Sequence, residues 1–166
     1  SHAGLILEAI NGEIVIRGQH DTNSVSVTAY LTVGADSEED AKMYMENLDI
    51  LVTDNASEIL IQTIQPEDFK GRSYKIRYDI IVPSDFEVTT SQDNGCIAIL
   101  DIENNVDVWN GNGNILLSDI TGVITAGVEN GSIKGVMVLS NGETIDLSTT
   151  NGGIELHISS TSTSAE

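Results

Sequence analysis

Trp109 beside Asp107, the aspartates Asp101 and Asp119, the lone Cys96 and three histidines are the residues of this chain with chemistry to offer. In "VDVWN" the apolar Val106 and Val108 alternate with Asp107 and Trp109, so a strand burying the valines turns the other two outward. An outward indole can stack on a sugar ring or a partner's surface while a neighbouring carboxylate accepts hydrogen bonds. Asp107 and Trp109 are therefore the candidate ligand-binding residues. Asp101 and Asp119 each fall six residues after a glycine that follows an asparagine. Calcium could bridge two such carboxylates, but the next equivalent position is Met137, and solvated carboxylates are the simpler reading. Cys96 follows a turn glycine with no evident partner and reads as a small residue near the core rather than a nucleophile. His20 and His157 stand alone and His2 lies at the chain's start, so no histidine cluster suggests a metal. Neither a Gly-x-Ser-x-Gly elbow nor a phosphate-cradling glycine motif occurs. No catalytic residue, metal or cofactor is assigned, and the chain is expected not to be an enzyme.

Composition narrows the partners. Twenty-six acidic residues against seven basic ones give a net charge of −19, which repels nucleic-acid phosphates and anionic lipid; solubility is the plainest reading of it. Apolar residues make up 40% but aromatics only 4%, so the core must be aliphatic. A single cysteine excludes an internal disulfide. No run approaches the ~20 apolar residues that cross a bilayer. Residues 1–3 read as the remnant of a tag, and 159–166, "SSTSTSAE", as a disordered low-complexity tail. An export signal or anchor is expected to lie outside these residues.

The elements that must position the candidates are mostly strands. "LILEAINGEIVIRG" reads as two short strands about Asn11-Gly12, and "SVSVTAYLTV" alternates as a half-buried strand. One helix is predicted over 37–48, capped by Asp36 or Ser37, with acids in its first turn and Ala41, Met45 and Leu48 as its core-facing stripe. "EILIQTI" and "YKIRYDIIVP" are further strands. Lys70, Arg72, Lys75 and Arg77 cluster around the second, which local ion pairs in an acidic protein explain.

From residue 94 the sequence becomes periodic. Four of its Asn-Gly pairs, at 94–95, 112–113, 130–131 and 151–152, recur at intervals of 18, 18 and 21. Two residues after each glycine stand Ile97, Ile115, Ile133 and Ile154. Val106, Ile124 and Ile145 occur six before the next asparagine. The longer interval fits three extra residues at Ser140 to Glu143. Two strands per period, with aliphatic residues in register, predict an all-β, single-domain β-solenoid, parallel β-helix-like, with coils of about 18 residues. The domain spans 4–158, its N-terminal strands and helix over 4–93 and its regular coils over 94–158. A β-sandwich of hairpins is the alternative, because Asn-Gly also favours hairpin turns.

The order of "LILEAINGEIVIRG", an acidic helix, "IIVPSDFEVTTSQDNG" at 80–95 and Asn-Gly coils ending in "NGGIELHI" resembles the prokaryotic putative-adhesin family, related to the head domains of autotransporter-like adhesins. The resemblance covers residues 4–158 and implies a β-solenoid outside the cytoplasm, tethered to the envelope, without catalytic residues. The expected function is a cell-surface binding module whose partner is a cell-surface glycan or protein. A self-assembling scaffold is the first alternative, and a carbohydrate-active enzyme, disfavoured by coils with the single basic residue Lys134, the lesser one.

Overall fold

The computed structural model describes residues 3–66, 71–139 and 144–160. The chain is all-β with one helix, and its strands form a twelve-stranded sheet that is not closed. Strand β1 (Gly4–Gln19) continues unbroken across Asn11-Gly12, and β6 (Glu87–Leu100) across Asn94-Gly95. Each is bent at the Asn-Gly corner, giving two legs on one continuous strand. Past residue 100 the legs are separate strands: β7 (Val106–Asn112) and β8 (Ile115–Ser118), then β9 (Ile124–Asn130) and β10 (Ile133–Leu139), then β11 (Ile145–Asn151) and β12 (Ile154–Ser160).

First legs pair only with first legs and second legs with second legs, always in parallel. The register offset is 18 from β6 to β7 and β8, and from these to β9 and β10. It becomes 21 at β11 and β12. The extra residues expected at 140–143 lie outside the described residues. The path back from second leg to first is short, and Thr121 N donates to Ile102 O at 2.9 Å to link successive returns.

Register places like beside like. Val88, Val106 and Ile124 form one inward row on the first legs, and Ile14, Ile97, Ile115 and Ile133 another on the second legs. All seven are at most 1% exposed. Ile102 and Ile120 fill the core from the return segments. Full burial of each such side chain contributes about 1.5–3 kcal/mol. The row through Ile99 and Leu117 reaches Gly135, where Leu156 Cδ1 and Met137 Cε occupy the space a β-carbon would need.

The corners carry the polar side of this regularity. Asn94 Nδ2 donates to Asn11 Oδ1 at 2.9 Å, Asn112 to Asn94 at 3.0 Å, Asn130 to Asn112 at 3.0 Å and Asn151 to Asn130 at 2.9 Å. Beneath them Gln92 Nε2 donates to Gly12 O at 3.0 Å and Asn110 Nδ2 to Gly95 O at 2.8 Å, so corner carbonyls facing the interior are satisfied. Gly113 has φ +135, and a β-carbon there would lie 1.8 Å from Gly95 O. No other residue meets both demands.

At the other end of the stack the sequence order is interrupted. Strand β4 (Glu58–Ile64) pairs in parallel with the first leg of β1, and β5 (Ser73–Pro83) with its second leg. β1 therefore lies between the β4–β5 unit and β6. Two antiparallel strands complete this end, β3 (Asp49–Asp54) on β4 and β2 (Ser26–Gly34) on β5. Tyr78 bridges the legs of the β4–β5 unit, its hydroxyl 2.8 Å from that of Thr63, and burial raises its pKa.

Helix α1 (Glu38–Met45) is capped by Ser37, whose Oγ accepts from Asp40 N at 3.1 Å. It ends three residues before the expected limit at 48, and the side chains that meet the core are Tyr44 and, beyond the helix, Leu48, rather than Met45. Met45 is 39% exposed and Leu48 6%. The chain tightens after Met45, with Asn47 N bonded to Tyr44 O and Leu48 N to Met45 O, and this turns Leu48 into the core. Cys96 is exposed, a correction to its expected place near the core; burying Ile97 turns its neighbour out. Ser159 and Ser160, expected in the tail, belong to β12, while 161–166 and residues 1 and 2 lie outside the described residues.

Gly113→Ala is expected to destabilise the protein by about 2–4 kcal/mol. Gly153→Ala, where nothing lies within 4 Å of the added carbon, should cost less than about 0.5 kcal/mol. Urea unfolding followed by circular dichroism compares the two; equal midpoints would remove the corner constraint.

Candidate functional site

Outward residues on the first legs inherit the register of the core. Ser91, Trp109, Gly127 and Ser148 form one row, and Thr89, Asp107, Thr125 and Asp146 the row beside it. Asp107 is exposed and Trp109 is 45% exposed, so the alternation places both outward as expected. The indole rests on glycines. A β-carbon added at Gly127 would lie 3.3 Å from Trp109 Cδ1, and one at Gly111 would lie 3.4 Å from Cη2. Any larger residue at 127 would meet the ring, so the bare backbone there lets the indole lie along the sheet. Gly127 was not among the expected site residues, yet its signal was available, since it lies one 18-residue interval after Trp109.

This face offers an aromatic surface flanked by hydroxyls and carboxylates. Such a surface can stack against the apolar side of a ring while Asp107 and Asp146 accept hydrogen bonds from hydroxyls. No cationic side chain belongs to either row.

Asp101 and Asp119 have another explanation. Their φ values are +58 and +53, in the left-handed region that short polar side chains tolerate. Asp101 N bonds Ser118 O, beside the Asp119 corner, and Asp119 N bonds Val136 O of the next unit, at 3.0 Å each. Met137, the third position, is 1% exposed and continues its strand. Among the described residues no three histidines, cysteines or acids gather as a metal-binding group.

His20 is not isolated. Its Nδ1 lies 3.2 Å from Ser84 Oγ, and that hydroxyl donates to Glu103 Oε2 at 3.0 Å. The serine stands between base and acid, whereas a serine nucleophile needs the histidine in the middle. With its proton directed at Glu103, Ser84 has none to give His20. His157 Nε2 and Lys134 Nζ both reach Glu155, at 3.0 Å each, and together they lower that carboxyl's pKa, the hydrogen bond from His157 most of all.

Around β5 the expected ion pairs form in part. Arg72 grips Asp40 through two nitrogens, at 2.7 and 3.0 Å, and stacks over Tyr44 at 3.6 Å. Arg77 bonds Asp79 at 3.1 Å and approaches Glu13 at 3.7 Å. Lys70 lies outside the described residues.

The fold is thus that of an all-β chain with a parallel-paired body and an antiparallel-edged, helix-bearing end. No family model and no curated protein matches the sequence. The chain is similar in structure to a putative cell adhesion protein from Clostridium sporogenes, at 12% identity with a TM-score of 0.58, over 95% of this chain and 94% of that one. At that identity the likeness concerns the fold alone.

Because Trp109 is the chain's only tryptophan, its fluorescence reports this face directly. Trp109→Ala should lower stability by about 1–2 kcal/mol and leave the fold intact. Gly127→Val should lift the indole off the sheet, shifting its emission to the red and increasing quenching by acrylamide. Unchanged emission in Gly127→Val would show that the glycine does not seat the ring.

Proposed function

We propose that the chain is a β-solenoid serving as a non-enzymatic binding module at the cell surface, of the putative-adhesin type, with the Trp109 face as a contact surface. The observation that carries this reading is the seated indole: a large ring held 45% exposed over glycine, amid acceptors, at a real cost in exposed apolar surface. The parallel pairing of successive units supports the solenoid, because a sandwich of hairpins places sequence neighbours antiparallel. Antiparallel pairs occur only at β2–β5 and β3–β4 among the described residues. The similarity in fold to a putative cell adhesion protein supports the adhesion role, and a place outside the cytoplasm is what that role requires. No helix among the described residues is long and apolar enough to cross a membrane.

Self-assembly is the second reading, favoured by the edge formed by β11 and β12. Each pairs with one neighbour only, and Ile154 and Ile158 are 43% and 49% exposed. Such an edge can accept another chain's strands. Growth of scattering mass with concentration would favour it.

Protease added to intact source cells is expected to remove the domain, and Trp109→Ala to abolish retention on immobilised neutral cell-surface glycans while the melting temperature stays within a few degrees. Protection of the domain in intact cells, with release only on lysis, would contradict the surface reading. Glycan retention equal to that of the unaltered chain would remove Trp109 from the contact.

A further inference from the structure

A second surface, apart from Trp109, collects cations in a chain that has few. Three of the seven basic residues, Arg72, Lys75 and Arg77, line one groove of about 830 Å³ where β1, β2, β5 and β6 meet. That volume lies within the ~300–1,000 Å³ of small-ligand sites. Their roles differ. Arg72 is committed to Asp40 and Tyr44 and forms a wall. Arg77 is shared between Asp79 and Glu13, the latter also lining the groove. Lys75 is exposed and enters no ion pair among the described residues. It is the cation free to meet a ligand.

The asparagine ladder ends at this groove. Each Nδ2 donates toward the β1 end, from Asn151 through Asn130, Asn112 and Asn94 to Asn11. The amide dipoles therefore align, and the donor end of the row is Asn11, a groove residue. Gly12 pairs with Ile76 in register, which sets Asn11 opposite Lys75 on adjoining strands. Tyr30, opposite Arg77 on β2, presents a ring that is 55% exposed with the Arg77 guanidinium 6.0 Å from its centroid, and Gly12 leaves the corner without a side chain.

We infer that this groove binds a carboxylate-bearing oligosaccharide of the uronate class, its carboxylate held by Lys75 and the Asn11 amide and a sugar ring stacked on Tyr30. A charge-assisted contact supplies the anion selectivity, and an exposed aromatic ring suits a flat saccharide. An acidic peptide would instead pair its main chain along the free edge of β2, whereas Asn11, Lys75 and Tyr30 offer side chains across the width of the groove. The net charge of −19 does not forbid the anion, because at physiological ionic strength the Debye length of about 8 Å confines most of that repulsion. This names a ligand class for the binding-module reading, yet it uses none of the Trp109 face, so the two can fail separately.

The test is calorimetric titration of the whole chain with trigalacturonate and a hyaluronan tetrasaccharide, against neutral maltotriose and pentaglutamate. Saturable binding of a uronate probe is expected, with none for maltotriose. Lys75→Gln and Tyr30→Ala should each weaken it by about tenfold or more with unchanged melting temperature, and Trp109→Ala should leave it unaltered. Absence of uronate binding, or binding indifferent to both groove variants, overturns the inference. Lys75-dependent binding of pentaglutamate alone overturns the sugar assignment and makes the groove a peptide site.

Discussion

The structure depends on what happens at one corner. Where first leg meets second, the chain must turn within two residues while its neighbour lies one strand spacing, about 4.8 Å, away. The backbone takes a positive φ there, and the preceding unit's carbonyl occupies the place of a β-carbon, so glycine is compulsory at both Gly95 and Gly113. The asparagine before it is held by its counterparts on either side through side-chain amides. Once the corners are stacked, the strands on both sides have no freedom of register. The aliphatic rows follow from that, and so do the outward rows: the surface is aligned because the core is.

This explains why so much could be read from the sequence between 94 and 158. An interval fixed by corner chemistry is visible as a spacing, and the rows through Ile97 and Val106 follow by counting. The N-terminal part was less legible. That β1 lies between the β4–β5 unit and β6 reverses the order of the chain, and nothing in the local pattern of "EILIQTI" or "YKIRYDIIVP" marks which neighbour each will take. Helix α1 shows a different limit. Ala41, Met45 and Leu48 have helical spacing, but the tightened turn after Met45 sends Leu48 to the core by a non-helical path, and Tyr44 takes the place assigned to Met45.

The candidate surfaces divide along the same line. Asp107 and Trp109 were found by alternation, and the glycine floor beneath the indole was within reach of the same counting. The groove was not. Tyr30, Asn11 and Lys75 come from three strands whose adjacency depends on the β1–β5 pairing and on the antiparallel strand β2. Basic residues clustered in sequence near β5 suggested local ion pairs, which Arg72 and Arg77 make. Lys75 departs from that reading because its neighbour across the strand is an amide of the ladder rather than a carboxylate.

Whether stacked asparagines couple successive corners is measured by double-mutant cycles. Asn94 and Asn112 share a hydrogen bond of 3.0 Å; Asn94 and Asn130 share none, with Asn112 between them. Unfolding free energies of the Ala variants, singly and in pairs, should show a coupling of about 1 kcal/mol for the first pair and additivity for the second. Additivity in both would contradict the ladder and leave the corners held by glycine geometry alone.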